Sequence, residues 1–199
     1  MFTGIVEAKA EIIEITEGQQ SLIVVLPRPE IFDDIKIGDS IACNGVCLTV
    51  EKFDSKTMQF TIGYETLQIT GWTKDFLSNK SFNLERSLKF GDRIHGHLVS
   101  GHVDNVSKLV KKEMAGDCLL LDFILPEAQS KEVWKKSSVA LNGVSLTVNF
   151  VENSQFQVCL VPETLRKTNM DDLSVGDPIN IETDYYMKGL LSSQGEMNA

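Results

Sequence analysis

The chain has 199 residues, 42% hydrophobic, 24% charged and 8% aromatic, which excludes a disordered tail, a collagen-like repeat and a low-complexity scaffold. Its formal charge of −9 divides into −4 over residues 1–97 and −5 over 98–199 with no basic run, so binding to a phosphate backbone is not expected. The length accommodates one large domain or two small ones.

The chain opens Met1-Phe2-Thr3-Gly4-Ile5-Val6-Glu7, without a basic start or an apolar core of signal-peptide type. No apolar stretch of about 18 residues follows, so no membrane span is expected. Short apolar runs or alternations then cover Gly4–Ile15, Ser21–Leu26, Ser40–Cys43, Val46–Phe53 and Met58–Tyr64. They read as strands, with Asn44-Gly45 a tight turn in which glycine tolerates positive φ. A short helical segment is predicted at Pro29–Asp34. The second half repeats the pattern, with strands at His102–Lys111, Cys118–Leu125, Val139–Leu141, Val144–Val151 and Phe156–Val161 and a helix at Pro126–Trp134. A last helix is predicted from about Asp184 to Ser193, ahead of a frayed end at Gln194–Ala199. Many short strands with evenly spaced turn signals argue for an all-β barrel or sandwich. The four cysteines, Cys43, Cys47, Cys118 and Cys159, match neither CxxC nor a disulfide framework and read as reduced thiols in the cytoplasm.

The halves are copies. Asn44–Val50 recurs as Asn142–Val148, with six of seven residues identical at an offset of 98. Glu65-Thr66-Leu67 recurs as Glu163-Thr164-Leu165 at the same offset, and Asn83-Leu84-Glu85 as Asn180-Ile181-Glu182 at 97. Gly4-Ile5-Val6-Glu7 aligns with Gly101-His102-Val103-Asp104. An Asn-Gly hairpin signal explains one copy but not a fixed register over four motifs. The expected domains are therefore a barrel over 1–96, a second over 97–184, and a helical tail over 185–199 that has no counterpart in the first half. Such a tail serves assembly or packs onto its own domain.

Function is expected where copies diverge. His102 aligns with Ile5 and Ser145 with Cys47, so one half offers a base where the other offers a thiol. All three histidines, His95, His97 and His102, fall in one segment. A metal site, ordinary surface or core histidines, and a catalytic or ligand-binding role are all open from the residues. In an apolar strand Cys47 is by default a small buried hydrophobe. The pairs Cys47/Thr49 and Ser145/Thr147 each share one strand face after the same turn, as a ligand contact requires.

Taken together, MFTGIVE at residues 1–7, Asn44–Val50, Asn83-Leu84-Glu85-Arg86, Gly96–Asp104, Asn142–Val148 and Pro162-Glu163-Thr164-Leu165 resemble the α-chain type riboflavin synthases, from residue 1 to about 190. The resemblance implies two tandem six-stranded Greek-key barrels plus a C-terminal helix through which three chains form a homotrimer. It implies a dismutation in which one 6,7-dimethyl-8-ribityllumazine gives a four-carbon unit to another, yielding riboflavin and 5-amino-6-ribitylamino-2,4-pyrimidinedione. No metal or other cofactor is implied, and the site lies between the first barrel of one subunit and the second barrel of its neighbour. Carried over by match, the first pocket draws on Gly4, Ile5, Val6, Cys47, Leu48, Thr49, Gly63, Tyr64, Glu65, Thr66 and Leu67. The second draws on Gly101, His102, Val103, Lys136, Ser145, Leu146, Thr147, Val161, Pro162, Glu163, Thr164 and Leu165. His102 is the candidate base, because the lumazine 7-methyl group is acidic. Cys47, Ser145 or a bound water is the nucleophile for the donor ring, and Thr49 and Thr147 orient the rings. Phe2 and His97 match residues linked to activity.

This chain also departs from the family. Asn142 occupies a position at which many members carry Asp, which removes an anionic partner there. His95 replaces a common Gly, a costly change if that residue needs positive φ. The linker Ile69–Ser81 carries Trp72 and Phe76 in place of a plainer loop. The alternative function is a non-catalytic lumazine- or flavin-binding protein of the same fold. Retention of Phe2, Cys47, His97, His102, Ser145 and Thr147 favours the enzyme. A flavin-binding reductase domain would need a nicotinamide partner, and no GxGxxG follows a strand. An association with lumazine synthase is a further possible partner; nucleic acid and membrane are not expected.

Overall fold

A computed structural model describes residues 1–78 and 80–197. The second half closes into a six-stranded antiparallel barrel. Its strands are β9 (Asn105–Ala115), β10 (Cys118–Ile124), β11 (Ser138–Leu141), β12 (Val144–Glu152), β13 (Gln155–Leu160) and β14 (Pro178–Thr183). They run round the barrel in the order β10-β13-β12-β11-β14-β9, so no strand edge is left open.

The first half follows the same course with two strands broken. β1 (Ala8–Glu11) and β2 (Glu14–Gly18) correspond to β9, and β5 (Val46–Thr49) and β6 (Lys52–Phe53) to β12. Between the two pairs come β3 (Ser21–Pro27) and β4 (Ser40–Cys43), and after them β7 (Thr57–Ile62) and β8 (Ser81–Arg86). They form two sheets, β1-β8-β4-β5 and β2-β3-β7-β6, which the chain links at the Ile12-Ile13 and Val50-Glu51 steps.

Alternation decides which face goes inward. Along β3 every second residue is buried, with Val24 and Leu26 fully so, and β7 answers with Met58, Phe60 and Ile62. The second core repeats this with Leu121, Phe123, Phe156 and Val158. Each such side chain contributes about 1.5–3 kcal/mol on burial, so each barrel carries its own core.

One turn recurs four times. At Gly38-Asp39, Gly91-Asp92 and Gly176-Asp177 the glycine lies at φ 92°, 94° and 100°. The Asp carboxylate accepts the N–H of the residue three back, from Lys36, Lys89 and Ser174 respectively. The fourth copy is Lys136-Ser137, where Ser137 Oγ accepts from Trp134 and Lys136 takes φ 74°.

The helices differ from expectation. Pro126–Trp134 supplies only a 3-10 turn at Glu127–Gln129, and Pro29–Asp34 only a turn closed by Phe32 N–H to Pro29. Neither segment has enough apolar positions to bury a helix face. Two helices the patterning does not predict, α1 (Tyr64–Thr70) and α3 (Pro162–Lys167), follow β7 and β13 at equivalent places. Seven and six residues are too short to display a 3.6-residue period. The linker carries a single helical turn, α2 (Lys74–Leu77), capped by Thr73 Oγ1 on Phe76 N–H, and Trp72 stacks on Phe82.

The last helix, α4 (Tyr185–Met197), starts where Asp184 Oδ1 accepts from Tyr186 N–H. It runs past the Gln194 at which fraying is expected; residues 198–199 lie outside the described residues. No helix among the described residues is long and apolar enough to cross a membrane.

Candidate active site

The two barrels meet about an approximate twofold axis. The Asn44-Gly45 and Asn142-Gly143 turns touch back to back, and a Cβ on Gly45 would lie 2.8 Å from Gly143 N. Asn83 Nδ2 donates to Asn142 O at 3.0 Å, and Asn180 Nδ2 donates to Asn44 O at 2.9 Å. Each turn Asn also accepts a backbone N–H from its own last strand, Asn44 from Asn83 and Asn142 from Asn180. Asn142 is thus a buried structural counterpart of Asn44.

Beside this axis the leading segments of both halves run antiparallel. Phe2 and Val99 exchange backbone hydrogen bonds at 2.8 and 3.0 Å. With Ala42 and Ala140 they form a small dry layer between the barrels, on which Cys47 packs. From here each segment crosses. Gly4 O accepts from Ser145 N–H of the second barrel, and Gly101 O accepts from Cys47 N–H of the first, both at 2.8 Å. Val6 then joins the second core, and Val103 packs on the first. The sequence grouping is therefore corrected. Gly4-Ile5-Val6 lies against the Ser145 strand, and Gly101-His102-Val103 against the Cys47 strand. The cause is that β1 begins only at Ala8 and β9 at Asn105, so the residues before them belong to the interface.

The approach is close enough to require glycine. Gly101 has φ 82°, and a Cβ there would lie 2.6 Å from Cys47 Cβ and 2.9 Å from Phe2 Cε2. Gly4, at φ 73°, would place its Cβ 2.6 Å from that of Ser145. His95 does not sit in the positive-φ region, so the histidine carries no strain penalty here.

Two buried carboxylates, which sequence reasoning missed, hold these segments. Glu85 on β8 accepts from Thr3 N–H, Thr3 Oγ1 and Gly4 N–H at 2.7, 2.8 and 3.0 Å. Glu182 on β14 accepts from Ser100 N–H, Ser100 Oγ and Gly101 N–H at 2.6, 2.8 and 3.0 Å. Burial pushes the Glu85 carboxyl up to about 7, against those hydrogen bonds, and raises that of Glu182 as well. The available signal was an acidic residue repeated inside an apolar strand at a fixed offset.

The three histidines go to different places. His97 is buried and its Nδ1 lies 2.8 Å from Ser145 Oγ, while Nε2 meets no hydrogen-bond partner among the described residues. Burial lowers its pKa, which favours the neutral imidazole. His102 is exposed beside the Cys47 strand, its backbone N–H donating to Ser100 Oγ. His95 is exposed and lines a cavity of about 1050 Å3 with Thr3, Ile5, Glu85, Arg86 and Lys89. Cys47, His102 and Ser145 are not among the residues lining that cavity. Among the described residues no group of three His, Cys, Asp or Glu side chains gathers as a metal site requires.

The remaining candidates divide by exposure. Thr49 and Thr147 are exposed, Cys47 and Ser145 half-buried on the same faces, while Leu48 and Leu146 point into the cores. Gly63, Tyr64 and Glu65 lie open at the start of α1, and Val161, Pro162 and Glu163 at the start of α3. Thr66, Leu67, Thr164 and Leu165 are half-buried one turn further on. Lys136 is exposed in its left-handed turn. Each barrel thus presents one matched set, a polar strand face beside a short helix start.

A family model described as the lumazine binding domain matches residues 3–87 and again residues 100–184. The chain is 38% identical over 185 residues to the riboflavin synthase of Photobacterium phosphoreum, covering 92% of this chain and 84% of that protein. It is 35% identical over 189 residues to the riboflavin synthase of Brucella abortus (strain 2308), covering 92% and 93%. Among solved structures, LumP complexed with 6,7-dimethyl-8-(1'-D-ribityl) lumazine superposes with a TM-score of 0.81 at 20% identity, covering 92% of this chain and 99% of that chain.

Proposed function

The chain belongs to the lumazine-binding-domain proteins and, among them, to the riboflavin synthase family, and from that premise we infer the reaction and the part each residue plays in it. The protein is a riboflavin synthase, a transferase that moves a four-carbon unit between two molecules of 6,7-dimethyl-8-ribityllumazine. The observation that carries this reading is the matched set on each barrel: two similar sites for two copies of one substrate.

The chain's own chemistry breaks the symmetry. His102, in reach of solvent, takes a proton from the acidic 7-methyl group of one lumazine. Ser145, with its hydroxyl on His97, or Cys47 adds to the other ring. Thr49 and Thr147 hold the rings by hydrogen bonds, and Phe2 packs beneath the crossing segments. Holding two rings face to face turns a bimolecular encounter into an oriented one, and orientation of this kind supplies about 7–11 kcal/mol in favourable cases.

The working unit is a homotrimer, in which the first barrel of one subunit faces the second barrel of its neighbour. Support comes from apolar surface in the right places. Ile5, Tyr64 and Val161 at the barrel mouths are 42%, 56% and 50% exposed, and Tyr185, Tyr186 and Leu190 on α4 are 52%, 63% and 56% exposed. The same reading assigns the enzyme to the cytoplasm and gives it lumazine synthase as an associate.

The test is direct. Purified protein is incubated with 6,7-dimethyl-8-ribityllumazine and riboflavin is followed by its absorbance. Formation of riboflavin supports the enzyme. Tight binding without product, in folded protein, supports the non-catalytic binding protein instead.

A further inference from the structure

We propose that Glu182 is a positioning residue that sets the pose of His102 through Ser100; this rests on the reading of His102 as the base. Three observations lead to it. Glu182 is 2% exposed and spends its carboxylate on Ser100 N–H, Ser100 Oγ–H and Gly101 N–H, the two residues before His102. Ser100 Oγ, having donated to Glu182, accepts the backbone N–H of His102 at 3.1 Å. Gly101 O is held by Cys47 N–H, so Gly101 is pinned on both sides, its N–H to β14 and its carbonyl to β5.

The imidazole itself is exposed and makes no side-chain hydrogen bond among the described residues. Its direction is therefore set by its backbone rather than by a partner for its ring. A carboxylate is suited to this work. It is acceptor-only when ionised, so it takes three donors without offering a competing N–H.

The duplication supplies an internal control. Glu85 makes the same three bonds to Thr3 and Gly4, but the residue that follows is Ile5, and no bond from Ile5 N–H to Thr3 Oγ1 occurs among the described residues. Loss of either latch removes equivalent hydrogen bonds from equivalent strands. Only loss of the Glu182 latch frees a base.

The experiment compares Glu182→Gln, Glu85→Gln and His102→Ala in the full chain, by steady-state kinetics with 6,7-dimethyl-8-ribityllumazine and by thermal melting. Glu182→Gln is expected to lower kcat about tenfold or more with KM within about twofold, because a misplaced group costs rate more than binding. Glu85→Gln is expected to lose a similar amount of thermal stability but a smaller share of kcat than Glu182→Gln, because the residue its latch leads to is Ile5 and not a base. Equal kcat losses in the two variants, or full turnover in Glu182→Gln while His102→Ala is impaired, overturn the proposal. Wild-type turnover in His102→Ala overturns the reading of the base and the proposal with it. If Glu182→Gln does not fold, Ser100→Ala and Ser100→Thr take its place. Both are expected to lower kcat with KM little changed, because a hydroxyl placed as at Thr3 takes no N–H from the residue two further on; wild-type kcat in Ser100→Ala overturns the proposal.

Discussion

At the scale of single residues, equivalent positions hold different chemistry in equivalent settings. His102 and Ile5 follow glycines of matched φ, and Cys47 and Ser145 both give their N–H to a crossing glycine carbonyl. His102→Ala and Cys47→Ala are each expected to lower turnover more than about tenfold, the range usual for loss of a general base or nucleophile. Steady-state riboflavin formation checks both, and wild-type rate in either removes that residue from the chemistry. Asn142 is a different case. Its Oδ1 accepts Asn180 N–H, a bond a carboxylate also makes, so Asn142→Asp is expected to fold normally. A rate increase in that variant assigns a role to charge at the twofold axis, and an unchanged rate leaves the position purely structural.

At the scale of elements, the segments before β1 and β9 are the parts on which the site depends. A methyl group on Gly101 meets Cys47 and Phe2 below 3 Å in a backbone conformation that favours glycine. Gly101→Ala is expected to destabilise the protein by at least about 2 kcal/mol, measured by urea unfolding. The Glu85 latch also has a pH signature. Burial raises its carboxyl from 4.5 to about 7, so the folded chain holds that proton more tightly than the unfolded one. The linkage therefore adds stability as pH falls from about 7 towards about 4.5, and removes it as pH rises through the same window. Glu182 shifts in the same direction. The urea midpoint is expected to rise between about pH 8 and about pH 5.5, and Glu85→Gln to flatten that slope.

At the scale of the whole molecule, two separate cores joined by the paired Asn-Gly turns and a small apolar layer leave apolar side chains of α4 and the barrel mouths uncovered. Lys188 ties the first turn of α4 to Asp104 of the second barrel at 2.7 Å, while Tyr185, Tyr186 and Leu190 face outward. A helix that packed only onto its own barrel would bury those residues. Deleting residues 185–199 is expected to give monomers with weak activity, measured by sedimentation and turnover together. A monomer with full activity refutes a site shared between subunits.

The duplication, the all-β character, the turn positions and the polar strand faces are legible in the order of the residues alone. Each of these is written in a local period or a fixed offset, which survives without knowledge of what lies alongside. That order could not show that Gly4–Val6 packs on the second barrel and Gly101–Val103 on the first, because a reciprocal exchange between copies leaves the register of both unchanged. Nor did it give Glu85 and Glu182 a task, since a carboxylate in a strand is explained only by the donors that reach it from elsewhere in the chain. Histidines within eight positions of one another looked like a cluster, and the fold sends one to Ser145, one to the Cys47 strand and one to a cavity wall. Tertiary structure decided these points because they depend on contacts between residues about 40 to 140 apart in sequence, where closure of the barrels, and not local preference, fixes which groups meet.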